Sequence, residues 1–165
     1  MVGRMSTLSA ESNQRKRARM RLVALFVVAV LVNYAWELAQ SPLYANAGRA
    51  GTVWWHCFVA SLGDGVLVAI VYFVGTAIFR RPTWFERPGA KQYVAILIMG
   101  GVIGVVVEWV AVHVAHRWAY AAEMPLLPGF DVGIVPVAQM LVLPLLVFRI
   151  VETWEDRLSR RSPTP

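Results

Sequence analysis

Four runs of the chain, at about 22–40, 55–79, 92–116 and 132–151, are each apolar enough and long enough to cross a bilayer. A helix needs about 20 residues, at ~1.5 Å each, to span a hydrocarbon layer ~30 Å thick. Inside lipid every backbone N–H and C=O must be satisfied within the protein, so such runs are committed to helices. The expected fold is an all-α integral membrane protein, a four-helix antiparallel bundle of transmembrane helices occupying residues 21–152. Composition points the same way, with 58% hydrophobic and 16% charged residues, outside the balance of soluble globular chains. Cys57 is the single cysteine, which excludes a disulfide framework and a thiolate metal cluster.

A net charge of +6 raises nucleic acid as a partner, but the basic residues lie in short clusters between the apolar runs. No motif that reads RNA or DNA accompanies them, so no nucleic acid is expected. The clusters are "RKRARMR" before the first run, "RRPTWFERPGAK" between the second and third, and "EDRLSRRSPTP" after the fourth. With Arg4 in the first tail and Arg149 they hold every Lys and Arg of the chain except Arg49 and Arg117. This one-sided distribution predicts an N-in/C-in, multi-pass protein of the cell (inner) membrane, with loops 41–54 and 117–131 outside. Residues 1–20 and 153–165 are then cytoplasmic basic tails, the first expected to be disordered. Trp54, Trp55, Trp118, Tyr44 and Tyr120 fall at the outer boundary, and Trp84 and Trp154 at the inner one, as aromatic belts do. A basic start, an apolar run and the triplet Ala45-Asn46-Ala47 also outline a cleavable signal peptide. The long gap before the triplet, carrying Trp36 and Glu37, favours a retained helix.

The stretch "VNYAWELAQSPLY", residues 32–44, is unusual for an anchor. Asn33, Glu37 and Gln40 fall at i, i+4 and i+7 and so share a helical face; His56, Ala60 and Asp64 do the same, as do Gly100, Gly104 and Glu108. At ~1.5 Å per residue Glu37 lies about 20 Å from the inner start of its helix. Asp64, Glu108 and Gln139 come to a similar depth, in the outer half of the bilayer. An ionised side chain there costs several kcal/mol unless it is paired, neutralised or hydrated, and no Lys or Arg shares the layer. The expectation is a polar cavity open to the outer side. Glu37, Asp64 and Glu108 are its catalytic candidates, and Asn33, Trp36, Gln40, His56, Trp118, Tyr120 and Gln139 line it or bind substrate. The bland alternative is a set of protonated acids that merely hold the helices together.

The "HVAH" pair, His113 and His116, supplies two weak candidate metal ligands, with His116 better placed to share the face of Glu108. His56 heads the Asp64 face, although a histidine at that boundary is more often simply solvated. No cofactor is read from the sequence. The small-residue faces in "GGVIG" and "GDGVLVAIVYFVG" allow close helix approach, ordinary packing being their plainer use. The loop "RWAYAAEMPLLPGFDVGIVP" is too apolar for a solvated linker; it is expected either to fold back as a lid or to lie in the headgroups. Pro136 and Pro144 predict kinks in the fourth helix and freed carbonyls near 132 and 140.

The order Trp118, Tyr120, a Pro-Gly loop and Pro136 before Gln139 resembles the membrane domains of small heterodimeric carotenoid cyclases, in which a Trp-Tyr helix end is followed by a proline and a pair of acids. The resemblance covers a short part of the chain, Gln139 stands where an acid belongs, and it assigns no family. Two active functions fit the residues. One is an enzyme or binding protein for a lipophilic isoprenoid, quinone or lipid, with one carboxyl as general acid and another as base. The other is a proton- or cation-coupled carrier or channel subunit, working as a homodimer to complete the wall of its path. A structural membrane subunit would need none of these acids. P-loop, nucleophile-elbow, HExxH and haem-attachment motifs do not occur.

Overall fold

The computed structural model describes residues 2–45 and 52–161, and 77% of the chain is helical. Four helices are present: α1 (Val2–Gln40), α2 (Val53–Phe79), α3 (Ala90–Trp109) and α4 (Ile134–Arg161). Each holds a section long and apolar enough to cross a membrane, at Gln14–Leu43, Val53–Phe79, Ala90–Val114 and Ile134–Arg157. A short antiparallel ladder, β1 (Leu126–Leu127) on β2 (Val132–Gly133), lies between α3 and α4. Arg49 and most of the triplet Ala45-Asn46-Ala47 lie outside the described residues.

Local chemistry explains the boundaries. α1 has no proline and a single glycine, Gly3, so nothing stops the helix at the basic cluster, and the segment expected to be a disordered tail is helical from Val2. Its 39 residues reach about 58 Å at ~1.5 Å per residue, well beyond a bilayer core, and Gln14–Met20 are exposed. α1 gives way after Gln40 to a 3-10 turn, Ser41–Leu43, where Pro42 has no N–H to give the Leu38 carbonyl and the Ser41 hydroxyl donates to it at 3.0 Å instead. α2 closes on Arg80 in the left-handed region (φ 55°), with Pro82 two residues on. α3 begins after Pro88-Gly89, where the Gln92 side chain accepts the Gly89 N–H at 3.1 Å. Regular helix stops at Trp109, earlier than expected, and a π-helical turn, Val110–Val114, follows. Pro136 was expected to kink α4; it falls instead in the first turn, where a helix needs no N–H. Among the described residues Pro144 is the one proline inside an α-helix beyond its first turn.

α1 lies against α2 and α4, and α3 against α4, while α2 and α3 meet less closely. The α3–α4 seam is a backbone contact. A Cβ on Gly100 would run into the Met140 carbonyl oxygen, and one on Gly104 would come within 3.2 Å of Met140 Cβ. The Met140 carbonyl is the group that Pro144, lacking an N–H, leaves without its intrahelical donor. Glycine and proline on two helices thus fit one another.

At the end of the bundle where α1 enters, the α2–α3 loop turns inward. Trp84 and Phe85 are fully buried, a correction to the interfacial place expected of Trp84. The Trp84 ring sits where a side chain at Gly75 would be, stacks on Phe79 and donates its Nε1–H to the Tyr72 carbonyl at 3.1 Å. The last contact is what allows an indole to be buried so deeply. Beside it Arg21 bridges Glu86 at 2.7 Å and Glu155 at 2.9 Å, joining the loop, α1 and the end of α4. Buried Glu152 accepts the Arg87 backbone N–H at 2.7 Å. The basic residues outside the pairs, among them Arg80, Arg81, Lys91 and Arg157, are exposed around this end.

Candidate functional site

Toward the other end of the bundle the polar faces of α1, α2 and α4 meet on one amide. Gln139, buried on α4, places its Nε2 at 2.8 Å from Asn33 Oδ1, 3.1 Å from Glu37 Oε1 and 3.0 Å from Asp64 Oδ2. Gln40 Nε2 donates to Gln139 Oε1 at 2.9 Å and to Glu37 Oε1 at 2.7 Å, and the Trp36 indole N–H donates to Gln40 Oε1 at 3.1 Å. Asn33 turns its own amide N–H back to the Ala29 carbonyl at 2.8 Å. The helical spacing of Asn33, Glu37 and Gln40 makes this possible, because all three project toward α4 from a single face.

The donor count is short. An amide nitrogen carries two hydrogens, yet three oxygens surround Gln139 Nε2, two of them from carboxyls. Glu37 Oε1 and Asp64 Oδ2 thus converge on one amide nitrogen, a placement that is eased when one of the two acids carries a proton. Among the described residues no Lys or Arg pairs with either acid, and no three of His, Cys, Asp and Glu are grouped to hold a metal.

Glu108 belongs to a different arrangement. It is buried on α3, and its Oε2 accepts the Trp118 indole N–H at 3.3 Å and the Tyr120 hydroxyl. The chain reaches back to it because the end of α3 reverses sharply: Ala115 N–H bonds to the Val110 carbonyl and Arg117 N–H to the Ala111 carbonyl, both at 2.8 Å, and His116 takes a left-handed conformation (φ 47°). Tyr44 then pairs with Tyr120 in an isolated antiparallel bridge, and its ring stands 5.8 Å from that of Tyr120 and 6.3 Å from that of Trp118. Burial first, then the charges of Glu108 and Glu37, push the Tyr44 phenol far above its ordinary range. Burial and the bond to Glu108 push the Tyr120 phenol up as well.

The structure therefore joins Asn33, Trp36, Glu37, Gln40, Asp64 and Gln139 in one network, and Glu108, Trp118 and Tyr120 in a second. His56 is in neither; it is exposed, with Nδ1 2.9 Å from the Thr52 carbonyl. His113 and His116 are exposed too, His113 packing against Trp109, and the two donors from Trp118 and Tyr120 take the Glu108 oxygen that His116 was expected to approach. Tyr44 is the site residue missed from the sequence, where it looks like any interfacial tyrosine. Its one signal is its place four residues after Gln40. The class defined by fold and site is a four-helix protein with membrane-length helices and an acid pair gathered on an amide. No family model, curated protein or solved structure matches the chain.

Proposed function

We propose that the chain is a multi-pass inner-membrane protein, with both termini cytoplasmic, whose Glu37–Asp64–Gln139 layer exchanges a proton with a lipophilic molecule held between the helices. The observation that carries this reading is the donor shortage at Gln139: two carboxyls converge on one amide with no cation beside them. A layer of this kind is completed either by a proton on one acid or by a hydrogen from a ligand, and those are the two states that acid/base chemistry alternates between. The one-sided basic residues support the orientation. A proton- or cation-coupled carrier is the second reading, favoured by the same lack of a counter-charge.

The test compares wild type, Glu37→Gln and Asp64→Asn purified from membranes in mild detergent. Native mass spectrometry is expected to find a lipophilic molecule on the wild type and to find it lost from both variants, which keep their helix content. Retention by both variants overturns the ligand reading. Proton flux in liposomes that stops in the variants, with no molecule bound by the wild type, puts the carrier in its place.

A further inference from the structure

The segment from Trp118 to Gly133 is fastened at its two ends, Val132 and Gly133 being buried where it joins α4. Trp118 and Tyr120 both donate to one oxygen of Glu108. Ala45 N–H bonds to the Ala119 carbonyl, and Ala121 N–H to the Leu43 carbonyl, both at 2.9 Å. These two bonds flank Tyr44 and Tyr120 and make them a non-hydrogen-bonded pair, the arrangement that brings side chains closest across a bridge. Met124 is buried and the Ile134 N–H is held by the Pro125 carbonyl at 2.8 Å. The tip between β1 and β2 stands exposed, with Gly129 (φ 83°) and Asp131 (φ 52°) making its turn.

Tyr44 has this segment on one side and the acid layer on the other. Gln40, one helical turn earlier, is bonded to Glu37 and Gln139, while the Tyr44 ring packs on Trp118 and Tyr120. The charges of Glu37, Asp64 and Glu108 all bear on its phenol. Between the ends of α1 and α3 stand three aromatic rings, Trp118 and Tyr120 held by Glu108 and Tyr44 packed against both. On the N-terminal side of Trp118 the chain bends through the π turn and the left-handed His116, a conformation that costs a non-glycine residue energy.

We infer that Trp118–Gly133 is a strap closed over the acid layer, and that Glu108 is its latch rather than a third member of the acid pair. Release of Trp118 and Tyr120 from Glu108 is the step that admits a ligand to Glu37 and Asp64. The inference rests on the layer being the site, but its test reads access alone. The full-length chain in detergent is labelled with a water-soluble carbodiimide and glycine ethyl ester, and modification is followed residue by residue by mass spectrometry.

In the wild type Glu37 and Asp64 react slowly. In Tyr120→Phe they react about tenfold faster, the factor that loss of one hydrogen bond of about 1.4 kcal/mol gives. A second variant, Ala45→Cys with Ala119→Cys in a Cys57→Ala background, locks the strap through residues adjacent across the bridge. Oxidation is expected to slow labelling of both acids several-fold below the reduced form, and reductant to restore it. Equal rates in the oxidised and reduced forms overturn the inference even if Tyr120→Phe fails to fold. Slower labelling on oxidation supports it whether or not a co-purified molecule is ever found.

Discussion

Gln139→Leu tests whether the amide really fastens the helices. The substitution keeps nearly the same volume, so it opens no cavity and its cost is the hydrogen bonds alone. Gln139 accepts one bond from Gln40 at 2.9 Å and has two hydrogens to share among Asn33, Glu37 and Asp64, a total of three bonds at any instant. Interhelical side-chain hydrogen bonds in membrane proteins average about 0.6 kcal/mol and reach about 1.7, so the loss is roughly 2 kcal/mol with a ceiling of about 5 kcal/mol. The assay is reversible unfolding in mixed micelles of mild detergent and dodecyl sulfate, followed by far-ultraviolet circular dichroism. Gln139→Glu is the companion: it keeps an acceptor but removes the only amide donor shared by the two acids and adds a third carboxyl beside them, so it is expected to destabilise more than leucine at neutral pH. A Gln139→Leu protein as stable as the parent would refute the idea that this amide holds α1, α2 and α4 together.

Other expectations follow from separate features. A reporter enzyme fused after Pro165 should behave as cytoplasmic and one inserted near Gly48 as external; the reverse pattern contradicts the proposed orientation. Gly100→Ala pushes a Cβ into the Met140 carbonyl oxygen, backbone against backbone, and is expected to cost about 1–3 kcal/mol in detergent melts. Gly101→Ala, which meets only the Leu141 side chain at 3.4 Å, is the near-neutral control. High pH should destabilise the fold through Tyr44 and Tyr120, both held above their ordinary range. Unfolded tyrosine titrates near pH ~10; above that the unfolded chain loses protons the folded one retains, so melting temperature falls as pH rises, and Tyr44→Phe should flatten the fall.

The helices were legible in the sequence because each is an apolar run of membrane-spanning length, a pattern that few other structures accommodate. The face of Asn33, Glu37 and Gln40 was legible for the same reason: helical spacing is fixed, and depth follows from counting residues. Asp64 was placed with it on depth and on the face it shares with His56 and Ala60, Gln139 on depth alone. The rest depended on reversals of direction. Glu108 lies at the same level as the other acids by count, but the turn at His116 brings Trp118 and Tyr120 back onto it, and a left-handed histidine has no sequence signature. Trp84 looks identical in sequence whether it floats at an interface or is driven inward; what decides is Gly75, nine positions earlier, whose missing side chain makes the space. Tyr44 was overlooked because its partner lies on the far side of two other helices in the chain order. Pro136 was misjudged because a proline kinks a helix or starts it depending on a boundary two residues away.

The joining of α1 to α4 through Gln139 has a consequence for how the protein is made. Gln139 lies 102 residues after Glu37, so at a synthesis rate of roughly 5–20 residues per second the acid waits about 5–20 s for the amide that will hold it. During that interval α1, α2 and α3 are already made, while the polar face of α1 still lacks its partner on α4. The nascent protein therefore passes through a stage in which Glu37 has Gln40 on its own helix but not yet the Gln139 amide, and the arrival of the last helix supplies it. A ribosome that stalls before α4 would leave a product with membrane-length helices, an exposed acidic face and a clear mark for quality-control proteases.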